Sequence, residues 1–204
     1  MGTRNLIAVY LDGEYKVAQY SQWDGYPEGN GIECLRFLRN LYHEYSEPDI
    51  REMFRNLSWY SKEELDKIYG LLGVDEDGWL TVEQSNRLKK YYPELSRDTG
   101  VEILDLIVQH GGNMKLCNSI EFAKDGLFCE WVWVIDLDKN IFQAYEGFNK
   151  HPLKEGDRFY SDFDLEDHDY YGPKLVAEWD VMRLQTDDEF LKAFNKDDSE
   201  CELV

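Results

Sequence analysis

One candidate for binding or chemistry is the loop QWDGYPEGNG at residues 22–31. Asp24 could act there as an acid or base, and Trp23 and Tyr26 are large side chains that could contact a partner. Its three glycines permit positive φ or a close approach of the backbone. Because loops often carry function, the segment is a candidate binding or catalytic loop; alternatively, its aromatics cap the core.

A second candidate is an acidic run that includes a histidine. It comprises Asp162, Asp164, Glu166, Asp167, His168 and Asp169. Oxygen ligands suit a hard cation, but the spacing matches no ligand motif, and such a run is usually a solvated loop. Aromatic residues such as Tyr170 interleave with these acids. This composition also suits a surface with aromatic anchors that faces a partner.

The loop VDEDGWL between two predicted helices resembles the calcium loop of an EF-hand. With Gly78 on the required glycine, Asp75 and Asp77 fall on ligand positions. However, Gly73 and Gln84 then occupy positions one and twelve, where the motif needs an aspartate and a bidentate glutamate. An acidic turn is therefore favoured over a calcium site, and no cofactor is expected.

Nucleophilic catalysis would need a hydroxyl or thiol beside a base. The candidate nucleophiles are Thr3, Ser21, Cys34, Cys117 and Cys129, and the candidate bases are His43, His110, His151 and His168. None lies in a nucleophile-elbow or papain-type context, and lone cysteines in apolar runs are more often core residues. The sequence therefore leaves catalysis as the weaker hypothesis, with Thr3, Ser21 and Asp24 as its candidates.

The charge of the chain is strongly acidic, with 42 acidic against 22 basic residues and a net charge of −20. Residues 151–204 alone hold 16 acidic and 6 basic residues. Such a field repels nucleic acid and lipid surfaces and attracts basic proteins. The sequence has neither a signal-peptide pattern nor an apolar run of about 18 residues, and its four cysteines are scattered. A cytoplasmic protein without a membrane span is expected.

Two hairpins are predicted. Leu6–Leu11 and Glu14–Tyr20 flank Asp12-Gly13, a pair typical of a type I′ turn, and this turn places Ala8 opposite Val17. Phe128–Leu137 and Ile141–Tyr145 form the second hairpin. The first strand is apolar on both faces, so we expect it to be central in a sheet that is covered on both sides.

Helical spacing and capping residues predict a block of five helices at residues 32–110. Capping boxes begin at Ser61 and Thr81, and Ser46 begins another helix. Lys174–Met182 reads as an edge strand, and Thr186 caps a last short helix. The predicted fold is a single α+β domain at residues 1–195, with a polar tail at 196–204. Its mixed or antiparallel sheet is covered by the inserted helices, and an αββα sandwich is one form of this order.

The opening MGTRNL…DGEYKVAQYSQWDGYPEGNG resembles small phage, prophage and fungal proteins that share an M-G-T-R start and a Q-W-D-G-Y-P-x-G-x-G loop. The order of elements is also similar to that of N-terminal-nucleophile hydrolases, and this similarity implies an amide hydrolase. Those enzymes expose Thr, Ser or Cys as residue one, whereas removal of Met1 would expose Gly2 here.

The leading hypothesis is an acidic interaction protein, such as a phage-encoded inhibitor. Its partner would be a basic, nucleic-acid-handling protein bound by charge mimicry, without direct contact to nucleic acid or membrane. Its predicted contact residues are Trp23, Asp24, Tyr26, Asp162, Asp164, Glu166, Asp167, Asp169 and Tyr170.

Overall fold

A computed structural model describes residues 2–74 and 78–195, and describes only the backbone of residues 162 and 163. Asp75 and Asp77, the weak calcium candidates, and the tail 196–204 lie outside the described residues. The described chain is an α+β fold with a five-stranded mixed sheet. The strands are β1 Asn5–Leu11, β2 Glu14–Ser21, β3 Ser58–Trp59, β4 Lys115–Leu116, β5 Trp131–Asp136, β6 Ile141–Glu146 and β7 Lys174–Asp180.

The two predicted hairpins lie in one sheet, with the strand order β2-β1-β5-β6-β7. Within each hairpin the strands are antiparallel, and β1 pairs in parallel with β5 to join the hairpins. β7 is the outer strand, as predicted, and ends at Asp180. The turn of the second hairpin also supports the first, because the Asp138 carboxylate accepts the amides of Asp12 at 2.8 Å and Gly13 at 2.9 Å.

The first hairpin has the predicted turn but a different register beyond it. Both central residues of the turn have positive φ, as a type I′ turn requires. The predicted pairing of Ala8 with Val17 is wrong, because Ala8 pairs with Ala18. A β-bulge at Lys16 adds one residue to β2, and such a bulge shifts every pair beyond it.

All helices but the fifth begin where the sequence predicts them; the spacing predicts the fifth from about Thr99, and it begins at Glu102. They are α1 Ile32–Glu44, α2 Glu47–Arg55, α3 Lys62–Leu72, α4 Val82–Tyr91, α5 Glu102–Gln109 and α6 Asp187–Lys192. Ser61, Thr81 and Thr186 form complete capping boxes. In each, the cap side chain accepts the backbone amide three residues on, and the Glu or Gln at that position accepts the backbone amide of the cap residue.

One face of the sheet is covered by helices α1, α2, α5 and α6, and its core is almost wholly apolar. Its centre is an aromatic group of Trp133, Phe142, Trp179, Phe190 and Phe194, with ring centroids 4.7–6.1 Å apart. Contacts of this kind stabilise a core beyond the area that they bury. We call this side the helix-covered face.

The opposite face is covered by turns, a short 3-10 helix at Ile120–Lys124 and extended segments of the chain. Leu6, Ala8, Val132 and Val134 pack there against Ala123, Leu153 and Phe159, which come from the connections around β5 and before β7. We call this side the loop-covered face. The described residues thus form one main sheet with α-helices packed on only one of its faces, and the αββα alternative, which needs two stacked sheets, is wrong.

Only part of the inserted helical block covers the sheet. α3 and α4 pack against each other around Ile68, Leu72 and Leu88, in a small cluster separate from the sheet cores. Only α1, α2 and α5 of the block pack on the sheet. α5 is the most apolar helix of the block, and its Ile103, Leu104 and Ile107 are fully buried.

Candidate functional site

The loop-covered face is apolar at one end, and at the end near the hairpin turns it carries a cluster of polar side chains. Every strand of the sheet contributes to it: Tyr10 from β1, Tyr15 from β2, Asp136 from β5, Gln143 and Tyr145 from β6, and Glu178 from β7. The register explains the grouping, because Tyr10 lies opposite both Tyr15 and Asp136, and Gln143 lies opposite Glu178. Strand pairing therefore assembles residues that are far apart in sequence.

Arg158, from the segment before β7, completes this group. Its guanidinium forms an ion pair with Asp136, whose side chain is 1% exposed. Its Nε donates to Gln143 Oε1 at 3.1 Å and to the Tyr145 hydroxyl at 3.2 Å, and its Cζ lies 4.9 Å from the centre of the Tyr10 ring. A buried charge needs such partners, so Arg158 ties the covering segment to the sheet.

The acceptors around Arg158 are mutually connected. The Tyr145 hydroxyl donates to Gln143 Oε1 at 3.1 Å, and Gln143 Nε2 donates to Glu178 Oε2 at 2.7 Å. Asp136 Oδ1 accepts the amide of Lys139 at 2.9 Å. Arg158, Asp136, Gln143 and Tyr145 therefore supply one another's hydrogen-bond partners, as buried polar groups require.

Burial sets the protonation of the phenols in the network. Desolvation raises the pKa of Tyr145 to about 12, although the nearby guanidinium of Arg158 acts to lower it. Desolvation also raises the pKa of Tyr15. Both phenols therefore stay neutral at physiological pH. Burial acts to lower the pKa of Arg158, but the phenols of Tyr145 and Tyr15 and the carboxylate of Asp136 outweigh it and raise that pKa.

An open cleft of about 660 Å³ lies over the network. Lys139, Asp157, Lys174 and Glu178 are charged residues with exposed positions on its lining, and Leu153, Pro173 and Leu175 add apolar surface. A concave site with polar groups above an ordered floor is a usual form of a ligand site. The cleft is therefore a candidate ligand site.

The predicted loop at 22–31 is built on a buried polar core. Asn30 Nδ2 donates to Asn5 Oδ1 at 3.2 Å and to the Trp23 carbonyl at 2.9 Å, and Asn5 Nδ2 also donates to that carbonyl at 3.1 Å. Trp133 Nε1 donates to the Gly25 carbonyl at 2.9 Å. The interior of the loop is thus a structural support, which agrees with its interpretation as a cap of the core.

The predicted contact residues of this loop lie on its outer side. Trp23 is 47% and Tyr26 40% exposed, and Asp24 is exposed with a φ of +54°. Trp23 Nε1 donates to Asp98 Oδ1 at 2.8 Å, and the Tyr26 hydroxyl donates to Asp24 Oδ1 at 3.2 Å. These contacts orient the side chains while leaving their faces open to a partner.

Catalysis at this loop would need an activated nucleophile, and the described part of the chain holds none beside it. The Ser21 hydroxyl is buried and donates to the Trp23 carbonyl at 3.3 Å, and the Thr3 carbonyl accepts the Gly25 amide at 3.0 Å. No hydrogen bond links either hydroxyl to a histidine or carboxylate among the described residues. Burial also raises the pKa of the thiols of Cys34, Cys117 and Cys129, which disfavours the reactive thiolate.

The acidic run divides into a structural member and exposed members. Asp164 is buried, and its carboxylate accepts the amides of Leu153 and Ser161, both at 2.9 Å. The contact role predicted for Asp164 does not fit this position, because its side chain faces the protein. Glu166, Asp167 and Asp169 are exposed. The side chain of Asp162 lies outside the described part.

Apolar side chains accompany the exposed acids. Leu165 is 71% and Phe148 50% exposed, and the Phe148 ring meets the half-buried ring of Tyr170 edge to face at 6.2 Å. The ammonium of Lys150 lies 5.6 Å from the centre of the Tyr170 ring. We call Phe148 and residues 165–170 the acidic loop surface.

No group of three or more His, Cys, Asp or Glu side chains with metal-binding geometry occurs among the described residues. In the same residues, no helix is both long and apolar enough to cross a membrane. No family model matches this chain, and no curated protein or solved structure is significantly similar to it.

Sequence reasoning missed Arg158 and its partners. A signal for part of the network was present, because Asp136 and Gln143 interrupt apolar strands at positions that alternate with core residues. A polar residue at an inward position of a strand needs a partner. The partner itself could not be named, since Arg158 lies in a segment without a periodic pattern.

Proposed function

We propose that this chain is a binding protein whose partner is a basic, nucleic-acid-handling protein, with charge mimicry of nucleic acid as the basis of recognition. The acidic loop surface is the contact region. The observation that carries the proposal is the exposure of Glu166, Asp167 and Asp169 beside the exposed apolar side chains of Leu165 and Phe148.

The acids supply attraction over distance. The net charge of −20 raises the encounter rate with a basic partner, and this effect weakens as salt screens it. Exposed single ion pairs contribute little affinity by themselves. The acids of the acidic loop surface therefore select the sign of the partner and accelerate association.

The apolar side chains supply the lifetime of the complex. Leu165 and Phe148 expose surface that a partner would remove from water, and apolar anchors inside a polar rim dominate the energies of most interfaces. A surface that serves solubility alone would be uniformly charged, whereas here apolar side chains lie among the acids, as they do in docking surfaces.

The test is capture of proteins from a nuclease-treated cell lysate by the immobilised chain, at roughly 50 and 200 mM salt, since screening strengthens over that range. The variant combines Glu166→Gln, Asp167→Asn and Asp169→Asn and keeps Asp164, which supports the loop. We expect wild-type protein to capture basic nucleic-acid-binding proteins, more weakly at the higher salt, and the variant to lose them.

The matched control combines Glu44→Gln, Glu52→Gln and Asp66→Asn, three exposed acids on α1, α2 and α3. It changes the net charge by the same three units and should retain capture. If both triple variants lost capture equally, binding would depend on net charge alone and not on the acidic loop surface. Capture of no basic protein would reject the proposal.

A further inference from the structure

We propose that the cleft above Arg158 binds the zwitterionic backbone of a short peptide of about three residues. The cleft and the acidic loop surface use different residues, so this proposal and the proposed function can fail independently.

The cleft departs from the charge of the rest of the protein. Over the whole chain, acids outnumber bases by 42 to 22. The cleft lining holds three of each: Asp136, Asp157, Glu178, Lys139, Arg158 and Lys174. A ligand there meets both signs of charge, in contrast to the field of the surrounding surface.

Only some of these charges are available to a ligand. Arg158 and Asp136 neutralise each other at the floor, and one oxygen of Asp157 accepts the Lys154 amide at 2.7 Å. In the part of the chain that is described, no hydrogen bond or ion pair engages the ammonium of Lys139 or Lys174. Glu178 uses one carboxylate oxygen for Gln143. The cleft therefore offers ammonium donors and a carboxylate acceptor at once.

A ligand of one charge would leave part of this set unmatched. An anion would pair with the lysines but would be repelled by the carboxylates of Glu178 and Asp157. A cation would pair with the carboxylates but would be repelled by the lysines. A zwitterion satisfies both sets, and this requirement also excludes ligands that lack either charge.

The spacing of the groups indicates the length of the ligand. Lys174 and Glu178 pair with Glu146 and Gln143 of β6, which lie three positions apart because β7 has a bulge between Leu175 and Ala177; their separation along the strand is about 10 Å. An extended tripeptide also spans about 10 Å. Its carboxylate would pair with Lys174 and its amino group with Glu178, so the peptide would run opposite in direction to β7.

The floor of the cleft fits the middle of such a peptide. The hydroxyls of Tyr10 and Tyr15 can donate to peptide carbonyls, and Leu153 and Leu175 offer apolar contacts to small side chains. The volume of about 660 Å³ is within the usual range for small-ligand sites.

Isothermal titration calorimetry with trialanine, N-acetyl-trialanine and trialanine amide tests the proposal. Each cap removes one charge and leaves the rest of the ligand unchanged. We expect the free peptide to bind roughly tenfold or more tightly than either capped form, the effect of losing one charge-assisted contact.

Variants assign each end of the peptide. Glu178→Gln should abolish the preference for a free amino group, and Lys174→Ala the preference for a free carboxylate, while each keeps the other preference. Lys154→Ala, on the covering segment but outside the cleft lining, should keep both. Absence of binding by trialanine, equal binding of all three peptides, or the same loss in Lys154→Ala would overturn the proposal.

Discussion

The two faces of the same sheet are stabilised by different means. On the helix-covered face, aromatic and aliphatic side chains interlock, and Trp133, Phe142 and Phe190 are fully buried. On the loop-covered face, an apolar half around Val132 and Val134 gives way to the polar network of Asp136 and Arg158. Helices cover the first face through apolar contacts. A loop segment covers the second face, and the ion pair of Arg158 with Asp136 holds that segment in place.

This difference determines where function can reside. An apolar core gains stability from every contact and tolerates no open space, so it leaves no room for a ligand. A polar network fixes the positions of donors and acceptors at the surface of the sheet, which a recognition site requires. We therefore expect the loop-covered face to carry specificity and the helix-covered face to carry most of the stability.

The largest effect is expected from Phe142→Ala on the helix-covered face. Phe142 is fully buried and contacts Trp133, Trp179 and Phe190. Removal of the ring should lower the free energy of unfolding by about 4 kcal/mol, measured by urea denaturation. A loss below about 1 kcal/mol would mean that the aromatic group is not the main stabilising core.

Arg158→Met is expected to cost slightly less, about 3 kcal/mol, because it leaves the buried carboxylate of Asp136 without its charge partner. The double variant Arg158→Met with Asp136→Leu should recover most of this loss, since apolar residues can replace a buried ion pair. Denaturation of the wild type, the single variant and the double variant measures the difference. A double variant as unstable as the single one would show that the guanidinium supports the covering segment by contacts other than the ion pair.

The local parts of this fold could be predicted from the sequence. The Asp-Gly turn and the capping boxes at Ser61, Thr81 and Thr186 depend on residues within four positions of each other. Apolarity on both faces of β1 correctly placed that strand inside the sheet. These features follow from backbone preferences that act over short distances, so one sequence contains enough information to identify them.

The long-range parts could not be predicted in the same way. The bulge at Lys16 has no glycine or proline to mark it, and it changes the partner of Ala8. The buried position of Asp164 depends on amides of Leu153 and Ser161, which an acidic run in sequence does not reveal. The candidate cleft forms where five strands meet the segment that precedes β7, and tertiary packing rather than local pattern brings these parts together.

A pair of glycine variants compares how tightly the two faces pack. A Cβ on Gly31 would lie 2.5 Å from Trp133 Cζ2 in the helix-covered core, whereas a Cβ on Gly172 would lie 3.2 Å from the flexible end of Leu153. Neither glycine has positive φ, so the comparison is steric. Gly31→Ala should cost about 2 kcal/mol and Gly172→Ala less than about 1 kcal/mol in denaturation experiments. The reverse order would mean that the loop-covered face is the more rigid one.

The smallest effect concerns the charged edge of the helix-covered face, where the Asp187 carboxylate at the start of α6 pairs with Arg36 and Arg39 of α1. Hydrogen bonds from Arg36 and then Arg39 hold the pKa of Asp187 below its ordinary value of 3.8. The pairs therefore stabilise the protein above about pH 4, and this contribution disappears as the pH falls through the lowered folded-state pKa.

Because these side chains are partly exposed, Asp187→Asn should lower the free energy of unfolding at pH 7 by less than about 1 kcal/mol, and by less still in high salt. Denaturation at pH 7 and pH 2.5 measures the pH dependence, and the difference between wild type and variant should shrink at the lower pH. If the difference were the same at both pH values, Asp187 would act on α6 through helix packing instead of through its charge.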